Sequence, residues 1–167
     1  PPVGREISRK TPAPRAVDLT SAFSETTERV PLISSVTICS SSKFYDTARR
    51  AEEILRKAGL TVYTPRYDYS EEQVRVGESD KIRLTREFLD KVARSDAVFV
   101  IANGGYAGVS VCIEVGYAVG QGKAVVFSEE PAEFALRALA DAVVPVDEIG
   151  DAVRRIDRDA HRPGGPA

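Results

Sequence analysis

The chain has 167 residues, 29% of them charged, and a formal net charge of -2. That length suits one domain with a proper core, and the near balance of charge leaves no basic field to draw in a nucleic acid polymer or an anionic membrane. Cys39 and Cys112 lack metal-ligand spacing and the single histidine, His161, lies in a Pro/Gly-rich tail, so no metal site is expected.

Residues 1–33 are rich in Pro, Ser, Thr and Arg and read as an arm that is partly disordered or wraps on a partner, with Leu19, Phe23, Val30, Leu32 and Ile33 as its apolar points. Residues 34–156 read as one α/β domain and 157–167 as a flexible tail. The opening residues do not read as an apolar leader, and no apolar run approaches the roughly 20 residues of a membrane span. A reducing cytoplasm is therefore expected.

Within the domain, Val36–Cys39, Leu60–Tyr63, Ala97–Ile101, Ala124–Phe127 and Ala142–Val146 are short β-branched runs that predict strands. Between them, Tyr45–Ala58 carries Ala48, Ala51, Ile54, Leu55 and Ala58 on one face. Lys81–Arg94 carries Leu84, Phe88, Leu89 and Val92 inward, and Val109–Gly120 carries Val111, Val115, Ala118 and Val119. The segment from Glu71 to Asp80 is polar enough to be mobile. Five strands alternating with helices predict a single doubly wound, flavodoxin- or Rossmann-like domain with a five-stranded parallel sheet, order 2-1-3-4-5. In such a sheet the ligand crevice opens where the strand order reverses, at the carboxyl ends of the first and third strands. The loops there are Ser40–Phe44 and Asn103–Ser110.

Glu114 falls in the early turns of the third helix, on the side that faces the sheet. The helix dipole predicts an ionised carboxylate at the crevice floor, and glycines at 104, 105 and 108 open the loop before it. A carboxylate beside an anomeric carbon can act as nucleophile or stabilise the positive charge that develops as a glycosidic bond breaks. An isolated acid near a helix start can equally do no more than complement the dipole.

The run Gly-Val-Ser-Val-Cys-Ile-Glu-Val-Gly-Tyr-Ala-Val-Gly-Gln-Gly-Lys, residues 108–123, resembles the signature of the nucleoside 2-deoxyribosyltransferase superfamily. The resemblance implies that Glu114 is a nucleophile forming a covalent glycosyl-enzyme. Upstream, Cys39-Ser-Ser-Ser-Lys-Phe44 resembles the phosphate loop of the related 2-deoxynucleoside 5-monophosphate N-hydrolases. Ser41, Ser42 and Lys43 by that resemblance hold a 5-phosphate, with the helix N-terminus assisting. Such enzymes need no cofactor and are usually homodimers or larger, so a homodimer acting on a nucleoside or nucleotide is expected. Two departures stand out: Gly108 occupies a position where the transferases carry Asp, and Phe88 aligns near the usual general acid, leaving Glu87, Asp90 or Asn103 as substitutes.

Around this motif, Asn103 suits either catalysis or base binding, or a simple turn before Gly104 and Gly105. Tyr106 can stack on a base or cover an apolar rim. Ser110 can cap the third helix or touch phosphate. Tyr117 can orient Glu114 or pack on a neighbouring subunit. Arg66–Tyr69 reads as a lid or as a solvated loop, and both cysteines as small buried residues. Two other functions remain open: a phosphoribohydrolase similar to the cytokinin-activating family, echoed in Asn-Gly-Gly-Tyr-Ala-Gly, and a nucleotide-binding sensor module that does no chemistry.

Overall fold

The computed structural model describes residues 33–68 and 77–156. Five strands, β1 (Ser35–Ser40), β2 (Thr61–Tyr63), β3 (Ala97–Ile101), β4 (Ala124–Phe127) and β5 (Ala142–Val143), form one sheet in the order β2-β1-β3-β4-β5, and every pairing is parallel. The expected fold class and strand order are both present. The fifth strand is shorter than the apolar run suggested, because Pro145 cannot donate to a ladder and the chain turns there into a 3-10 turn, Val146–Glu148.

Alternation along each strand sorts the core into two layers. Val36 and Ile38 of β1, Phe99 and Ile101 of β3 and Val126 of β4 face the layer that holds helix α1 (Tyr45–Lys57) and the short α5 (Ile149–Ala152). Cys39, Val98, Val100, Val125 and Phe127 face the opposite layer, with α2 (Glu78–Arg94), α3 (Val109–Gly120) and the short α4 (Phe134–Arg137). β3 is buried along its whole length, as expected of a strand covered on both sides. Its register against β1 runs from Val36 opposite Ala97 to Ser40 opposite Ile101, so the two strands end together.

Some boundaries differ from the sequence reading. Ile33, read as part of the arm, is fully buried in the α1 layer, whereas Leu19, Phe23, Val30 and Leu32 lie outside the described residues, as does the tail. α2 begins at Glu78, so Glu78, Ser79 and Asp80 are helical rather than loop, with both acids at the positive end of the helix dipole. Residues 71–76 of the segment read as mobile lie outside the description. Val119 is 40% exposed, not inward, because the sheet-facing stripe of α3 is Val111, Val115 and Ala118. Two bonds fasten the C-terminal end of α2 to the sheet: Thr37 Oγ1 donates to the Lys91 carbonyl at 3.1 Å, and Lys91 Nζ donates to the Thr64 carbonyl at 2.8 Å.

Candidate active site

A crevice of about 550 Å³ opens outside the carboxyl ends of β1 and β3, where the strand order reverses. Its first wall grows out of β1. The chain leaves the strand at Ser40, forms a 3-10 turn over Ser42–Phe44 and enters α1 at Tyr45 without further connection. The turn is closed by the Phe44 amide donating to the Ser41 carbonyl at 3.0 Å, and Ser40 Oγ donates to the same carbonyl at 2.9 Å. Ser41, Ser42 and Lys43 all line the crevice. Lys43 Nζ stands 5.1 Å from the centroid of the Tyr106 ring, and Phe44 meets that ring edge-on.

The second wall comes from the loop after β3. Asn103–Gly105 form a 3-10 turn in which Gly104 (φ 60°) and Gly105 (φ 75°) both have positive φ. A side chain at Gly105 would meet the backbone at Ala132 N, 2.8 Å from its Cβ, and at Glu130 O, 3.0 Å away. The bare backbone thus lets the loop nest against the segment after β4. The Gly104 amide adds a 2.9 Å bond to the Glu129 carboxylate. These glycines shape the loop and do not line the crevice. Asn103 also stays outside it and donates to Thr47 Oγ1 on α1 at 3.2 Å. Tyr106, Gly108 and Ser110 do line it, but Tyr117 does not; it packs into the α2/α3 layer. The N-cap of α3 is Gly108 rather than Ser110, which is exposed in the first helical turn.

Helix α2 forms the third wall; of the positions the sequence reading set near the family's general acid, Phe88 and Glu87 line the crevice and Asp90 does not, while Lys81, Leu84, Thr85 and Lys91 were missed. Lys81, Leu84, Thr85, Phe88 and Lys91 line the crevice and recur at helical spacing, a polar and apolar stripe that the search for core positions split into inside and outside. Arg66, after β2, completes the rim with its guanidinium on Asp68 at 2.6 Å. Lys43, Arg66, Lys81 and Lys91 give the crevice a local cationic lining in a chain whose net charge is -2. Glu87 also lines it and is paired with Arg83 at 2.9 Å. Tyr67 turns away to α1, edge-on to Tyr45 with the Arg49 guanidinium over its ring.

Glu114 stands at the floor. One oxygen, Oε2, is completely buried with no hydrogen-bond partner. Burial pushes its carboxyl up from the ordinary 4.5 to about 8, opposed only in part by a hydrogen bond from the Cys39 thiol. The expectation of an ionised carboxylate is therefore corrected: at neutral pH burial keeps Glu114 mainly as the neutral acid. Glu114 is the sixth residue of α3, beyond the first turn in which the dipole acts, so desolvation dominates. Burial also raises the Cys39 thiol well above its usual range, with the Glu114 charge and hydrogen bond acting in the same direction. Cys39 is fully buried, as expected, but its neighbour is the carboxyl and not only apolar core. No group of His, Cys, Asp and Glu among the described residues is arranged to hold a metal.

A doubly wound sheet with a carboxyl at its switch point defines the fold class. No protein-family model matches the sequence, and no curated protein matches it by sequence similarity. Among solved structures the fold is shared with a 2-deoxyribosyltransferase from the psychrotolerant bacterium Bacillus psychrosaccharolyticus, at 19% identity and a TM-score of 0.52 over 70% of this chain and 90% of that one. Looser similarity extends to the CMP N-glycosidase BcmB of Clostridium botulinum (14% identity, TM-score 0.46, 71% of this chain and 96% of that one). A conserved protein of Enterococcus faecalis V583 is comparable (17% identity, TM-score 0.47, 70% and 97%). No helix among the described residues is long and apolar enough to cross a membrane.

Proposed function

We propose that this chain is an enzyme of the nucleoside 2-deoxyribosyltransferase type that cleaves the N-glycosidic bond of a nucleoside or nucleoside 5-monophosphate, with Glu114 as nucleophile. The observation that carries the reading is the Glu114 carboxyl at the floor of the crevice, with a buried oxygen left unpartnered under a cationic rim. The fold shared with a 2-deoxyribosyltransferase supports it.

In this reading Ser41, Ser42 and Lys43 hold the phosphate beside the N-terminus of α1. Ionised Glu114 forms a bond to the anomeric carbon as the carbon–nitrogen bond breaks, and the bonding pair leaves with the base. Water, or a second base, then displaces the carboxylate and regenerates it. Glu87, the other lining acid among the described residues, is engaged by Arg83, so in this reading the departing base takes its proton from solvent. Asn103 and Tyr117, set back from the crevice, act on the site only through the elements they brace. The chain works without a cofactor, as a homodimer or larger assembly.

Among the described residues that line the crevice no acid other than Glu114 is free of an ion pair, and that favours a second reading, a module that binds a nucleotide without cutting it. Incubation with a panel of nucleosides and their 5-monophosphates, followed by chromatography for free base, separates the two. Release that falls by at least about 1,000-fold in Glu114→Ala supports the enzyme. Binding by calorimetry with no base released by wild type refutes it and leaves the sensor.

A further inference from the structure

Two loops meet around one ring at the crevice wall. Tyr106 follows the 3-10 turn after β3, and its amide donates to the Asn103 carbonyl at 3.2 Å, so the turn fixes the backbone that carries the ring. From there the ring reaches the β1 loop, where Phe44 meets it edge-on with 6.0 Å between centroids and Lys43 Nζ stands 5.1 Å from its centroid. Its hydroxyl reaches the start of α3: the first carbon of a side chain at Gly108 would stand 3.6 Å from it, so a longer side chain there would compete with the phenol for the same space. Bare Gly108 thus leaves Tyr106 room to bridge the β1 loop and α3. Two other lining cations are held by oxygen, Lys91 Nζ on the Thr64 carbonyl at 2.8 Å and Arg66 on Asp68 at 2.6 Å. Lys43 is held over a ring instead, and a ring face takes the charge without using up the three N–H donors of an ammonium.

We propose that Tyr106 is a positioning residue that sets specificity through Lys43: its ring gathers the ammonium at the crevice wall beside Ser41 and Ser42, and so raises the preference for a ligand with a 5-phosphate over the parent nucleoside. The inference rests on the reading that Lys43 takes the phosphate, and it adds a residue that does not touch the phosphate at all. A flexible lysine gives up rotamer freedom when it binds an anion. One already gathered over a ring gives up less, and the ammonium keeps the ring while its remaining donors take the anion. Tyr106 is 46% exposed, and at an exposed site such a contact is equivalent to about two- to fivefold in an equilibrium.

The test measures binding, so it serves an enzyme and a sensor alike. Affinities for the four 2-deoxynucleoside 5-monophosphates and their parent nucleosides are taken by calorimetry in a Glu114→Gln background, which blocks the proposed cleavage, and the quantity read is the ratio of monophosphate to nucleoside affinity. Tyr106→Leu should lower that ratio about threefold, Tyr106→Phe, which keeps the ring, should restore it, and with Lys43→Ala already present Tyr106→Leu should lower it no further. A ratio unchanged by Tyr106→Leu overturns the inference, equal weakening of both ligands being the mark of a ring that stacks on the base. The same drop with Lys43 already removed overturns it too. Absence of any preference for the monophosphates, or of binding, in the parent protein refutes the phosphate reading and takes the specificity role with it. The contact itself is read without ligand by proton NMR of wild type. The ε-methylene signals of Lys43, assigned by their loss in Lys43→Ala, should lie upfield of those of the other lysines because they sit in the ring current of Tyr106. Signals in the ordinary lysine range overturn the inference whatever the fate of the Tyr106 variants. Shifted signals in a protein with no phosphate preference identify the phosphate reading, and not the contact, as the part that failed.

Discussion

The most direct physical prediction concerns stability rather than catalysis. Glu114 titrates near 8 in the folded chain, against 4.5 when unfolded and solvated, so between those values the folded state keeps a proton that the unfolded state has released. Stability must fall as pH rises through that window and level off above it. At about 1.4 kcal/mol per pH unit, the gap corresponds to a full penalty of about 5 kcal/mol, of which about 4 kcal/mol is incurred between pH 5 and pH 9. Glu114→Gln removes the titration. Its amide carries a constant cost that does not vary with pH, and the titrating groups that Glu114 does not perturb cancel in the comparison; the Cys39 thiol, raised in part by Glu114, does not. Urea unfolding of both proteins at pH 5, 6, 7, 8 and 9 should therefore show the variant gaining on wild type by about 4 kcal/mol across the series. A difference flat to within about 1 kcal/mol would show that water or an unrecognised donor reaches the carboxyl, and would remove the argument for a desolvated nucleophile.

If only ionised Glu114 reacts, kcat/KM for base release should rise about tenfold per pH unit below 8 and plateau above it; a profile flat from pH 6 to pH 9 contradicts that requirement. Lys43→Ala should weaken turnover of 5-monophosphates by at least about tenfold and leave free nucleosides within twofold. Equal effects on both substrates would place the phosphate elsewhere. Gly105→Ala forces a side chain into the backbone of Glu130 and Ala132 at positive φ, so it should cost about 2 kcal/mol or more by denaturant titration, and a loss under about 0.5 kcal/mol would disprove the close packing of that loop. Val109 and Ile113 on α3 are 81% and 52% exposed, and light scattering should give a mass of at least twice 18.1 kDa. Full activity at the single-chain mass would rule out an interface that completes the site.

The sheet and its switch point were legible because they depend on local pattern. Continuous apolar runs such as Ala97–Ile101 signal strands covered on both faces, and helical phase alone put Glu114 on the sheet side of α3. What could not be read depends on burial summed over elements distant in sequence. The protonation of Glu114 is one case, since a dipole argument sees the helix and not the wall that α2 builds around the crevice. The stripe from Lys81 to Lys91 is another: Leu84 and Phe88 look like core until the helix is placed at the mouth of a cavity. Asn103 is a third. Its position after a buried strand suggested a ligand contact, yet its amide is turned to Thr47 by a loop whose path is set by Gly105 meeting Ala132.

The central strand pair has a consequence for how the crevice comes into being. Val36 and Ala97 are register partners although 61 positions separate them along the chain, and the same separation holds for every pair down to Ser40 and Ile101. Closing so long a loop carries a chain-entropy cost before any contact repays it. Ser41 and Glu114 occupy opposite sides of that closure. No half of the chain contains a rudimentary version of the cavity, and a small molecule touching both segments binds only the fully assembled state. Such a molecule raises stability in proportion to the logarithm of its concentration, which makes thermal shift with candidate ligands a readout of completed topology as much as of affinity.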